Sequence, residues 1–149
     1  MCGLVGILDL NKKLHKNKMF NYLFEMAKEL KHRGPDSYNQ WVDEKVGLGF
    51  AFQRLSIQDL STNGNQPMSS KCKRYVLIFN GEIYNFLDLR KKLENSGFMF
   101  AGGSDTEVLL CAITKWGLVK ALKNVTGMFA FALWDKKNQT LQLVRDRIG

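Results

Sequence analysis

A chain of 149 residues, 45% hydrophobic and 24% charged, is long and apolar enough to bury one substantial core, which excludes an extended disordered segment. No apolar run approaches the about 20 residues that cross a bilayer, and the start lacks the basic-then-apolar layout of a secretory leader. The formal charge of +8 raises nucleic-acid binding as a reading, but the cations fall in separate groups (Lys12, Lys13, Lys16 and Lys18; Lys71, Lys73 and Arg74; Arg90 to Lys92; Lys136 and Lys137) without interleaved stacking aromatics, as on a solvated basic surface.

Residues 3–10, rich in Val, Ile and Leu, predict a buried strand beginning almost at the terminus, with Asn11-Lys12-Lys13 as the turn after it. Met19, Phe20, Leu23, Met26, Ala27 and Leu30 recur at helical spacing and predict an amphipathic helix over 18–30 that stops before His32-Arg33-Gly34-Pro35-Asp36. Residues 38–42 and 46–53, separated by Asp43-Glu44-Lys45, predict an antiparallel hairpin. Residues 61–70, with Asn63-Gly64-Asn65 and Pro67, predict a loop.

A strongly apolar strand over 75–79 is expected to run into a sharp reversal at Asn80-Gly81. Two helices are predicted next, over 86–95 and 105–116. Ser104 caps the second, and Glu107 three residues on completes a capping box. Asp105 then lies at the positive end of that helix dipole. Strands over 128–134 and 140–145 flank the polar Asp135 to Gln139 and predict a closing hairpin. Strands and helices cluster instead of alternating strictly, which favours α+β with antiparallel sheets.

Three cysteines, Cys2, Cys72 and Cys111, form no C-x-x-C pair and have only two histidines beside them, so neither a disulfide framework nor a metal site is supported. Cys111, among Val108, Leu109, Ala112 and Ile113, reads as a core thiol, and Cys72 lies in a basic loop. Cys2 differs. Once Met1 is removed, its thiol and a free α-amino group share one Cα, and their ordinary pKa values, about 8.5 and about 7.7–8.0, let the amine take the thiol proton near neutrality. This arrangement activates a nucleophile without histidine; the alternative is an ordinary small residue beside the initiator.

Asn80-Gly81 supplies a side-chain amide and an unobstructed backbone N–H, two donors suited to a tetrahedral oxyanion, or else a plain turn. Arg54 offers a planar fork to a carboxylate, or a surface ion pair. Asp105 is an acceptor for an ammonium, or a dipole partner of its own helix. Taken together, Arg54 and Asp105 describe a receptor for the zwitterionic end of an amino acid.

Over essentially its whole length the sequence resembles the class II glutamine amidotransferases, whose domain is an N-terminal nucleophile hydrolase. Met1 to Ile7 resembles the family start and Ser104-Asp105-Thr106-Glu107-Val108 its acidic motif. Arg33-Gly34-Pro35-Asp36, Arg54-Leu55-Ser56-Ile57, the Asn80 to Asn85 segment, the Gly127 to Ala132 segment and Arg145 to Gly149 are similar to the asparagine synthetase branch.

The resemblance implies a four-layer α-β-β-α sandwich of two antiparallel sheets in a cytoplasmic enzyme. It implies that Cys2 attacks the side-chain amide of glutamine, that its α-amino group shuttles the proton, and that Asn80 and Gly81 form the oxyanion hole. Arg54 would hold the substrate carboxylate, Asp105 and Glu82 would engage its α-amino group, and backbone from Leu55 through Ser56 and Ile57 to Gln58 would line the pocket. No cofactor or metal is implied in this domain. ATP and magnesium belong to a synthetase domain expected in cis, which amidates a carboxylate, most simply in asparagine biosynthesis; a homodimer is compatible with the family. The resemblance also implies that the glutaminase domain continues past Gly149, which would leave an exposed sheet edge or an uncovered apolar face here. Two readings of a different class stand beside it: an amino-acid-binding module without turnover, and a basic nucleic-acid-binding protein.

Overall fold

The computed structural model describes residues 2–149. Met1, whose removal would free the Cys2 amine, lies outside the described residues. Two compact units are present among the described residues, one formed by residues 2–56 and 65–67 and the other by residues 57–64 and 68–149.

In the first unit, β1 (Gly3–Leu8), β2 (Ser37–Asp43) and β3 (Leu48–Arg54) form an antiparallel sheet in the order β1-β3-β2. Helix α1 (Lys16–Lys28) packs on it, and Leu23 and Ala27 bury against Val5 and Ala51, with Ile7, Leu30, Tyr38 and Val42 around them. The predicted strand over 3–10 ends two residues early. The Asp9 carboxylate captures the N–H groups of Asn11 and Leu14, a local turn that competes with continued strand pairing. The helix starts two residues before the predicted position because the Glu44 carboxylate accepts the Lys16 N–H at 2.9 Å, a cap supplied from the hairpin turn.

The second unit carries β4 (Met68–Ser69), β5 (Tyr75–Ile83), β6 (Gly127–Asp135) and β7 (Thr140–Arg145) as an antiparallel sheet in that order. Helix α3 (Asp105–Trp116) lies against β5, and α2 (Phe86–Glu94) and α4 (Leu118–Asn124) pack on α3. Leu77, Phe79, Leu109, Ile113, Phe131 and Leu133 are among its core residues. Phe79, Phe129 and Phe131 stack on one another with centroids 5.8–6.4 Å apart. The edge strands are β4 and β7, and Leu143 on β7 is exposed.

The α+β class with antiparallel sheets is as expected, and α3 and β7 occupy the predicted residues. Other parts of the expected layout are corrected. The loop over 61–70 contains a 3-10 turn (Thr62–Gly64) and the two-residue β4. Helix α4 was not anticipated, although Leu118, Ala121 and Leu122 recur at helical spacing and pack on the core; at seven residues it is too short for the pattern to stand out.

Asn80-Gly81 makes no reversal. Strand β5 continues through both residues to Ile83, pairing Asn80 with Ala130 and Gly81 with Phe129. Glycine is required there for another reason: a Cβ would overlap the Met128 carbonyl oxygen and the Phe129 Cα of the neighbouring strand.

Candidate active site

In the first unit the register pairs Gly3 with Gln53, so Cys2 stands just beyond the start of β1 and Arg54 ends β3. The Leu55 N–H donates to Cys2 Sγ at 3.3 Å, and the thiol faces the Leu55 carbonyl oxygen at 3.6 Å. The sulfur is therefore gripped by main chain immediately after Arg54. The Cys2 carbonyl accepts from Arg33 Nε at 3.2 Å, which fixes the residue from its other side.

Arg54 is 7% exposed. Its Nη1 donates to Asn65 Oδ1 at 2.8 Å, and its carbonyl accepts the Asp36 N–H at 3.0 Å. Gly34 lies so close that a Cβ on it would overlap the backbone of Gln53 and Arg54. The Asp36 carboxylate also accepts the Ser56 N–H at 2.7 Å. Through these contacts the Arg33 to Asp36 loop fixes the strand end that carries Arg54, Leu55 and Ser56. His32, Arg33, Pro35 and Leu55 line an open cavity of about 460 Å3.

The second unit holds the other expected groups. Asn80 is half-buried, and its Oδ1 atom is buried without a hydrogen-bond partner among the described residues. A buried polar atom left without a partner is costly, and such atoms mark places where a ligand or solvent completes the bonding. Glu82 accepts from Gln58 Nε2 at 3.2 Å, so two of the residues expected to meet substrate meet each other here. Ile57 is 72% exposed.

Asp105 opens α3 and is 6% exposed. Its Oδ2 accepts the Ile83 N–H at 2.9 Å, tying the helix to the end of β5, and Thr106 Oγ1 approaches Oδ1 at 3.4 Å. Burial pushes its carboxyl above the usual carboxylate range; the Ile83 and Thr106 bonds act against this shift, and the nearby Glu82 charge adds to it. The expected capping box is half present: Ser104 Oγ accepts the Glu107 N–H, but the Glu107 carboxylate accepts from Ala101 and Gly102 instead of reaching back to Ser104.

Within the first unit, then, the structure brings together Cys2, Arg54, Leu55 and Ser56, and within the second Asn80, Gly81, Glu82, Gln58 and Asp105. Sequence reasoning assigned no role to Arg33, Asp36 or Asn65. The first two belong to a motif already noted, and Asn65 had been read as part of a turn. Among the described residues no group of three or more His, Cys, Asp or Glu side chains is placed to hold a metal ion. No helix among them is long and apolar enough to cross a membrane.

The glutamine amidotransferase domain family model matches residues 1–149. The chain is 42% identical over 149 residues to asparagine synthetase [glutamine-hydrolyzing] 1 of Bacillus subtilis (strain 168), covering 100% of this chain and 23% of that protein. It is 42% identical over 149 residues to asparagine synthetase [glutamine-hydrolyzing] 2 of the same strain, covering all of this chain and 19% of the relative. The chain thus spans about a quarter or less of the length of these curated relatives. Among solved structures it is similar to glutamine phosphoribosylpyrophosphate amidotransferase from B. subtilis, with a TM-score of 0.55 and 23% identity over 80% of this chain and 26% of the other. At that identity the likeness speaks to fold alone, and it agrees with two antiparallel sheets flanked by helices.

Proposed function

Because this chain belongs to the glutamine amidotransferase domain family, we propose that it hydrolyses glutamine to glutamate and ammonia through a thioester on Cys2. The observation that carries the reading is the sulfur of Cys2, held by the Leu55 N–H directly beside a buried arginine.

In this reading Met1 is removed and the freed α-amino group accepts the thiol proton. The sulfur forms a bond to the side-chain carbonyl carbon of glutamine, and the carbonyl π pair moves onto oxygen. The Asn80 amide and the Gly81 N–H donate to that oxyanion, stabilising charge that develops only in the transition state. Collapse of the intermediate breaks the C–N bond, and the amine returns its proton to the leaving nitrogen, which departs as ammonia. Water then attacks the thioester carbon, the C–S bond breaks, and glutamate leaves with the thiol restored.

Arg54 pairs with the α-carboxylate of the substrate, and Asp105 with Glu82 takes its α-ammonium, while backbone from Leu55 to Gln58 lines the pocket. The raised Asp105 carboxyl fits this role, since an arriving ammonium supplies the countercharge that its burial lacks.

The ammonia serves a synthetase domain in cis that uses ATP and magnesium to activate a carboxylate, with asparagine as the product. Support for this finer reading comes from the names of the relatives, glutamine-hydrolyzing asparagine synthetases. The test is glutamate and ammonia release by the N-terminally processed protein in its full-length context. Cys2→Ala should lower the rate at least about a thousandfold; release that survives this change overturns the assignment. Asparagine formation from aspartate, glutamine and ATP by the same preparation tests the acceptor.

A further inference from the structure

Resting on the proposed glutaminase reading, we infer that Asp146 is a positioning residue for the oxyanion donor: it holds the main chain of Phe129, the residue against which Gly81 and its N–H are set.

The segments 127–132 and 145–149 supply no group to the proposed reaction, yet they meet at this point. Strand β7 pairs with β6 only as far as Arg145 opposite Ala130, whereas β5 pairs with β6 down to Gly127. The stretch of β6 opposite Gly81, Glu82 and Ile83 therefore runs past the end of β7. Asp146 braces it there. Its N–H donates to the Phe129 carbonyl at 2.9 Å, and its Oδ2 accepts the Phe129 N–H at 2.9 Å, so a side chain stands in for the carbonyl that a longer strand would offer. The other carboxylate oxygen accepts from Ile148 at 2.9 Å and Gly149 at 2.7 Å. These main-chain donors, Gly149 foremost, hold the Asp146 carboxyl below the usual carboxylate range, so the brace is ionised near neutral pH.

The parity of the ladder carries the effect to Gly81. Facing residues of an antiparallel pair alternate between those that exchange hydrogen bonds and those that do not, and each residue sends both main-chain groups to one side. Phe129 gives both of its groups to Asp146, so it exchanges none with Gly81, and the two form a close pair with Cα atoms about 4.5 Å apart. The Gly81 N–H consequently points to the far edge of β5. On that same edge Ile83 gives its N–H to Asp105 and Tyr75 accepts the Ser70 N–H, so the proposed oxyanion donor and the proposed ammonium acceptor share it. Gly81 lies so near that a Cβ would overlap the Met128 carbonyl and the Phe129 Cα, and any shift of Phe129 is passed directly to it. A donor of this kind works by being in place before charge develops, and a misplacement of about 1 Å costs about a hundredfold in rate.

The experiment compares wild type, Asp146→Ala and Asp146→Asn as processed full-length proteins. Asp146→Ala should lower kcat for glutamine about tenfold with KM within about twofold, because the donor is needed most in the transition state. Two inhibitors separate placement of the donor from general loosening: glutamate, and its γ-aldehyde. With the aldehyde, the Cys2 sulfur bonds to the carbonyl carbon, the π pair moves onto oxygen and the α-amino group takes the thiol proton, which puts an oxyanion where the intermediate has one. Its Ki should rise about tenfold, in step with kcat/KM, while that of glutamate stays within about twofold. Asp146→Asn keeps one oxygen for these donors and should show the same pattern at about threefold. Thermal midpoints should fall in both variants, so rates are read well below them. An unchanged kcat, equal rises in the two Ki values, or a lower kcat with an unchanged aldehyde Ki overturns the inference while leaving the glutaminase reading intact. Should Asp146→Ala be unfolded at the assay temperature, Asp146→Asn decides by the same criteria. Wild-type protein that releases no more ammonia than Cys2→Ala overturns both.

Discussion

The two units hold their candidate reactive groups in different ways. In the first, Cys2, Arg54 and Ser56 stand at strand ends and are met by contacts from loops, among them Arg33 on the Cys2 carbonyl, Asn65 on the guanidinium and Asp36 on the Ser56 N–H. In the second, Asn80 and Gly81 lie inside a paired strand, and Asp105 is fastened to the backbone of that same strand. Groups held by loop contacts can lose their alignment without loss of the sheet, whereas groups built into a sheet cannot be disturbed without disturbing the core. Changes in the first unit should therefore separate activity from stability, and changes in the second should couple them.

The largest effect should come from Gly81→Ala. Its Cβ has backbone of β6 in its way, so the strands must part; we expect a loss of about 3 kcal/mol of folding stability, read from the denaturant midpoint, together with activity. A stable but inactive variant would break the coupling proposed for this unit.

Asp105→Asn refines the same point through pH. The Asp105 carboxyl is raised from 3.8 by burial, so the folded protein binds this proton more tightly than the unfolded chain does. Stability therefore falls as pH rises from the unfolded value to the raised folded one, and stays at the lower level above it. Asparagine cannot ionise and still offers an oxygen to the Ile83 N–H. The variant should lose that decline and unfold at neutral pH no earlier than wild type, while kcat/KM for glutamine drops about tenfold to a hundredfold. Midpoints measured across acidic to neutral pH decide it, and an unchanged pH slope would assign the decline to other groups.

The smallest change in stability belongs to Asp36→Ala in the first unit. Asp36 is exposed and the bond it makes to the Ser56 N–H lies at the surface, so the expected cost is under about 1 kcal/mol. Glutamine turnover should nevertheless fall several-fold as the segment after Arg54 loosens. Equal and small effects on both would erase the contrast between the units.

Much of the fold could be read from pattern. Alternation and apolar runs located the strands, and the 3.6-residue period with its Ser104 cap located α3 to the residue, because burial on a defined face writes itself into sequence. What pattern missed were features settled by partners distant along the chain. Glu44 decides where α1 begins, and β6 decides that Asn80-Gly81 is strand and not turn. Most of the candidate site residues were legible because their side chains carry recognisable chemistry. Asn65 and Asp36 were not, since their meaning lies in which atom they touch, and Asp105 carried a second engagement, with Ile83, that its helix position did not disclose.

Leu55 presents the Cys2 sulfur with a main-chain donor and a main-chain acceptor at once. A protonated thiol can lean on the oxygen and a thiolate on the N–H, so a sulfur acting as the proposed nucleophile would shed and regain its proton without its seat being rebuilt. Because both handholds are peptide atoms, the side chain at position 55 is free to drift; only a residue without an N–H, proline, would take the seat away.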